Sequence, residues 1–158
     1  KKFILIFLIC FSVKAQLLPP IQSYTPEQYN GANQNWMIDG SGGNKILFSN
    51  SEGLLVYDGT IGLNKIQLTE VLLTVKFIDD LIYTGAHADF GYWEKLSNGT
   101  LFYTSLIKKL NLNVEEDEEF WKILTLDNWI IFQSLHRFIF LDKNSNEVKY
   151  LKIDDTII

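Results

Sequence analysis

The chain has 158 residues, 47% of them hydrophobic and 14% aromatic, with a formal net charge of −5. So apolar a composition argues against disorder, and the acidic balance argues against direct contact of this segment with nucleic acid or anionic membranes. No internal apolar run reaches the roughly 20 residues that a membrane-spanning helix needs.

Residues 1–15 read as a secretory signal peptide: a basic Lys1-Lys2 start, an apolar stretch from Phe3 to Val13, and small residues in Val13-Lys14-Ala15 ahead of Gln16. An uncleaved anchor is the alternative, for which the stretch is short. The single cysteine, Cys10, lies inside this stretch, and Ile9 stands before it where a lipidated cysteine would have a small residue. Cleavage after Ala15 would leave a chain without disulfides, held together by its core. It would also remove Lys1, Lys2 and Lys14, leaving 11 basic residues against 19 acidic ones, a net charge of −8. The chain is thus expected to be exported; the placement on the periplasmic side of an inner membrane is what the family resemblance described below implies.

Residues 16–35 form a lead-in, in which Pro19-Pro20 ends any continuing helix and Ile21 to Tyr24 suits an isolated closing strand. A strand-turn-strand pattern then occurs in three copies, 36–68, 71–106 and 120–153. The first runs through Trp36 to Asp39, Lys45 to Asn50, Gly53 to Asp58 and Asn64 to Leu68, with glycine-rich and Asp58-Gly59 turns. The second has Val75 to Asp79, Leu81 to Gly85, Phe90 to Glu94 and Leu101 to Ser105, with turns at Asp79-Asp80 and Asn98-Gly99. The third has Trp121 to Leu124, Trp129 to Gln133, Phe138 to Asp142 and Glu147 to Ile153. Its turns fall at Asp127-Asn128 and Lys143 to Asn146. Residues 107–119, with the acidic run Glu115-Glu116-Asp117-Glu118-Glu119, read as a solvated connection, and 154–158 begin the next one.

A period of roughly 40 residues is that of four-stranded propeller blades. The expected fold is therefore all-β: a partial β-propeller of about three four-stranded antiparallel blades forming an open arc. A ring needs at least about four blades, so the chain is expected to open a longer protein. Alternation places Trp36, Phe48, Leu55, Tyr57, Tyr83, Trp121, Ile131 and Phe140 in the core.

No nucleophile elbow or metal-ligand spacing occurs, so no catalytic residue, metal or cofactor is expected. Calcium at the acidic run would need a loop pattern that is missing. The loops between second and third strands emerge on one end of a propeller, which places Glu52, His87, Asp89, His136 and Arg137 along one polar rim. Ordinary solvated turn residues would look the same. Trp36, Trp93, Trp121 and Trp129 suit blade packing, and Trp93, close to His87, is the best candidate among them for stacking on a sugar.

Asn33-Gln34-Asn35-Trp36, followed by Ser49 to Gly59, resembles the opening of two-component-regulator propellers. The likeness continues through Tyr83-Thr84-Gly85, Asp89 to Trp93, Leu101 to Leu106 and Phe132-Gln133-Ser134, and departs at Ile61-Gly62-Leu63, where an aromatic residue often follows the turn. The resemblance implies a periplasmic sensor region whose later parts would be a β-sandwich, a membrane helix and a cytoplasmic kinase or DNA-binding output. Its partners would be a small ligand, saccharides or other nutrients among the candidates, together with the remaining blades and downstream domains. A homodimer of the full-length protein stays open. The alternatives are a secreted interaction scaffold and the first part of a carbohydrate-active propeller enzyme.

Overall fold

The computed structural model describes residues 21–41, 43, 45–59, 63–67 and 71–153; the signal peptide reading, the Ile61-Gly62 departure and the last connection lie outside them. Among the described residues the strands form three four-stranded antiparallel sheets, each an uninterrupted meander. The first sheet holds β1 (Asn35–Ser41), β2 (Lys45–Asn50), β3 (Gly53–Tyr57) and β4 (Leu63–Gln67). The second holds β5 (Leu72–Ile78), β6 (Leu81–Ala86), β7 (Phe90–Lys95) and β8 (Leu101–Ser105). The third holds β9 (Lys122–Leu126), β10 (Trp129–Gln133), β11 (Arg137–Asp142) and β12 (Val148–Lys152).

Local chemistry sets the hairpins. Asp79 and Asp80 take φ of 48° and 67°, the left-handed pair of a two-residue turn that matches strand twist. Gly99 takes φ of 87° in the turn that follows Leu96, its N–H donating to the Leu96 carbonyl at 2.8 Å. Among the described residues two short helices flank the sheets: α1 (Pro26–Tyr29) in the lead-in and α2 (Leu106–Leu110) after β8. Ser105 caps α2 by accepting from the Lys108 N–H at 3.2 Å. Residues 21–25, read above as a closing strand, pair with no strand among the described residues; Tyr24 lies on β3, its hydroxyl 3.2 Å from that of Tyr57.

The sheets stack through their first strands. β1 and β2 pack on β5, and β5 and β6 pack on β9, as in consecutive propeller blades. Between the first two sheets lie Leu47, Leu54, Leu72, Val75, Ile82 and Trp93. Between the second and third lie Tyr83, Phe90, Phe120, Ile123, Ile130, Phe132 and Ile139. Phe90 stacks on Phe132 at 4.0 Å and meets Phe120 edge-on at 4.7 Å. Polar ties cross both seams: the Phe77 N–H donates to Asp39 Oδ2 at 2.7 Å, and Lys143 Nζ to Asp79 Oδ2 at 2.8 Å.

The expected core register is corrected in the outer sheets. Leu55, Tyr83 and Ile131 are buried, Phe48, Tyr57, Trp121 and Phe140 are half-buried, and Trp36 is 39% exposed. In the first and third sheets the other alternating face, carrying Leu47 and Leu54 or Ile130, Phe132 and Ile139, looks toward the middle sheet. The face that was expected inside points away from the middle sheet, and so keeps part of its surface in water. Ile38, Leu126 and Leu151 on these outward faces are more than half exposed.

Candidate functional site

The turns β2–β3, β6–β7 and β10–β11 emerge at the end of the stack where the chain enters β1 and β9. Two buried polar residues, each just before such a turn, clamp the incoming segments. Asn50 donates through Nδ2 to the Ala32 and Gln34 carbonyls at 2.8 and 3.0 Å, and its Oδ1 accepts from the Ala32 N–H at 3.0 Å. Ser134 accepts from the His136 and Arg137 N–H groups, both at 3.1 Å, and donates to Glu118 Oε1 at 2.6 Å.

Glu118 corrects the reading of 107–119 as solvated throughout. Its side chain is fully buried, and Arg137 Nε donates to its Oε1 at 2.9 Å while Nη2 pairs with Oε2. Burial pushes the Glu118 carboxyl up, but the Arg137 and Ser134 hydrogen bonds and the Arg137 charge together outweigh it and hold the group below its usual value. The hydrogen bond to Glu118 in turn raises Arg137. The neighbouring backbone extends the clamp to the second sheet: the Ala88 N–H donates to the Glu118 carbonyl at 2.7 Å, and His87 bridges Glu119. Within the acidic run, consecutive residues thus face opposite ways. One enters an ion pair, and the next stays half-exposed with its Oε1 3.8 Å from His87 Nδ1.

The residues expected along the rim separate into two groups. Glu52, His87 and His136 are exposed at their three turns. Asp89 and Arg137 are tied down. Asp89 accepts from Ser105 Oγ at 2.6 Å and Tyr103 Oη at 3.3 Å, while burial, the largest influence, raises its carboxyl. Trp93 leaves the rim altogether: it is 2% exposed, its indole N–H donating to Thr84 Oγ1 at 3.0 Å and its ring 5.0 Å from Tyr103. A position at the middle of β7 faces the seam with the first sheet, and its nearness to His87 in sequence has no bearing on that.

Sequence reasoning missed the pair at this end of the stack. Trp36 and Trp121 belong to the first and third sheets, yet their rings meet edge-on at 5.7 Å and 75°. Trp36 sits at a bulge in β1, between Asn35 and Met37, and its indole N–H donates to Ser51 Oγ at 3.0 Å. Bulges re-aim side chains, and this one turns Trp36 toward the β2–β3 turn. Trp121 stands one residue before β9, and among the described residues its buried indole N–H has no hydrogen-bond partner. The recurrence of tryptophan at the start of the first strand in two copies was the available signal.

No family model and no curated protein sequence matches the chain. Among solved structures, it is similar to an extracellular domain attributed to a one-component system, BT4673 of B. thetaiotaomicron, with a TM-score of 0.64 and 10% identity. The match covers 85% of this chain and 18% of that one, so the chain spans less than a fifth of its neighbour's length. At that identity the likeness establishes the fold. Among the described residues, no helix is long and apolar enough to cross a membrane.

Proposed function

We propose that this chain is the ligand-sensing propeller segment of a longer, exported signal-transduction protein that controls transcription. The segment has no enzymatic role of its own, and its ligand is a small nutrient molecule. The observation that carries this reading is the stack itself: three consecutive blades whose outer faces keep Ile38, Leu126 and Leu151 more than half exposed, as a partial ring requires. The fold likeness to an extracellular domain of which the match covers only 18% supports the same assignment. Turn residues from each sheet at one end provide a rim on which a small ligand could be read. Rigid stacked sheets suit that task, since a bound ligand then acts on a preformed surface.

Transcript profiling of the source cells, with the gene intact and deleted, tests this during growth on single nutrients. One transcript set should respond to one nutrient only when the gene is present. An unchanged response across all nutrients would remove the regulatory reading. N-terminal sequencing of the exported protein should begin at Gln16, and a product retaining Phe3 to Val13 would remove the cleavage assignment.

A further inference from the structure

We infer that the lead-in is a wedge in the wall of a closed ring. Tyr24 to Asn35 fills the outer half of the junction between the first sheet and the last blade, and β1 with β2 is the surface on which that blade docks. The partner is a later blade of the same chain, whose existence rests on the partial-ring reading above. Three features carry the inference.

The molecule already contains one such wedge. α2 packs on β7 and β8, the strands farthest from the stacked first strands. Ile107, Leu110, Leu112 and Val114 join the core between the second and third sheets, together with Val148 of β12. Blades that radiate from an axis part toward the rim, and close packing requires that the gap be filled. Between these two blades the connection before β9 fills it.

The lead-in is built like that connection. Each holds a short helix that ends on an asparagine in the left-handed region, Asn30 at φ 52° and Asn111 at φ 51°. Each is then clamped by a buried polar side chain beside the turn after a second strand. Asn50 holds Ala32 and Gln34 as Ser134 holds Glu118. The segment before β1 thus has the parts of one that lies between two blades.

The third feature is how the outward face of the first sheet is covered. Leu55 of β3 is 1% exposed, Tyr57 carries the Tyr24 ring at 5.7 Å, and α1 lies on β4 with Tyr29 buried. On the same face Ile38 of β1 and Ile46 of β2 are 58% and 37% exposed. The outer strands are therefore covered and the inner ones bare. At both seams present, a sheet's first two strands are covered by the first strand of another blade, β5 on β1 and β2, and β9 on β5 and β6. The same kind of element fits β1 and β2 from the other side. The match covers 18% of the similar extracellular domain, which leaves length for such a blade in a protein of that plan.

Cysteine chemistry on the intact exported protein, in a background otherwise free of reactive cysteines, tests this. Tyr24→Cys with Tyr57→Cys should be bridged within one chain by a short bis-maleimide, and Tyr24→Cys with Ser97→Cys should not. Ser97 lies exposed in the β7–β8 hairpin and serves as the open reference. Ile38→Cys should be alkylated at least about tenfold more slowly than Ser97→Cys, because the docked blade must open first. No bridge between positions 24 and 57 would mean that the last blade displaces the lead-in, and would overturn the wedge. If Tyr57→Cys does not fold, photo-oxidative coupling of the native Tyr24 and Tyr57 rings reads the same contact. Alkylation of Ile38→Cys as fast as Ser97→Cys would overturn the docking surface. A covalent dimer through Ile38→Cys would put a second copy there and overturn it as well. The nutrient-dependent transcripts decide the sensing reading separately, whichever way the cysteines react.

Discussion

Glu118 and Arg137, nineteen residues apart, form a bidentate ion pair whose carboxylate is fully buried and whose guanidinium is 17% exposed. It fastens the connection after α2 to the β10–β11 turn, with Ser134 as a third member. Removing either partner leaves the other charge or its polar neighbours unpaired.

Glu118→Ala should therefore lower unfolding free energy by about 3 kcal/mol, the usual cost of breaking one side of a buried pair. Arg137→Ala should cost at least as much, since it strands the fully buried Glu118 carboxylate, whereas the Arg137 left behind by Glu118→Ala can reach solvent. The double variant should lose less than the two single losses together, with a coupling of about 1 kcal/mol or more. Urea unfolding of the four proteins measures this cycle, and strict additivity would mean that the pair does not act as a unit.

The same pair gives the protein an acid limb. Arg137 and Ser134 outweigh burial and hold the Glu118 carboxyl below its usual 4.5. A depressed carboxylate contributes stability that is fully present above its unfolded value and is lost as pH falls through its folded value. Asp89 has the opposite sign: burial raises it above 3.8 despite the bonds from Ser105 and Tyr103, so its protonation on acidification favours the fold. Glu118→Gln should flatten the loss of stability below pH 4.5, and Asp89→Asn should steepen it. Unfolding midpoints measured across acidic pH would show both slopes.

Gly85 separates space from conformation. A Cβ there would lie 2.6 Å from the Phe120 carbonyl oxygen and 2.8 Å from Thr74 Cγ2, at the seam between the second and third sheets. Backbone on one side prevents an easy adjustment, and Gly85→Ala should cost about 2 kcal/mol. At Gly99 the space is open but φ is 87°, so Gly99→Ala should cost about 1 kcal/mol through strain alone. Thermal unfolding should rank Gly85→Ala below Gly99→Ala, and the reverse order would mean that the seam yields.

Residues 16–158 by themselves should self-associate. Ile38 on the first sheet and Leu126 and Leu151 on the third are 58%, 57% and 56% exposed on faces that look away from the middle sheet. Large apolar side chains exposed in this way favour association. Leu126→Glu combined with Leu151→Glu should shift the segment toward monomer in size-exclusion chromatography. A stable monomer from the unsubstituted segment would rule out the open arc.

Local pattern placed the strands in order and their turns between them, but their ends only approximately: β5 begins at Leu72 rather than Val75, and β1 runs on to Ser41. Alternation over Lys45 to Asn50 or Trp129 to Gln133, and turn residues such as Asp79-Asp80 and Asn98-Gly99, act over a few neighbouring residues. The turns that carry Glu52, His87 and His136 were legible for the same reason. Tertiary structure decided which alternating face meets the middle sheet. Leu47 and Phe48 are equally apolar, because a stacked sheet is covered on both sides. It also decided the fate of single residues. Glu118 is buried among like charges because Arg137 arrives from another strand. Trp93 lies in a seam, while Trp36 is turned outward by a bulge to meet Trp121 across two sheets. Hydrogen-bond partners and neighbouring sheets are through-space relations between residues far apart in sequence, and no local pattern encodes them.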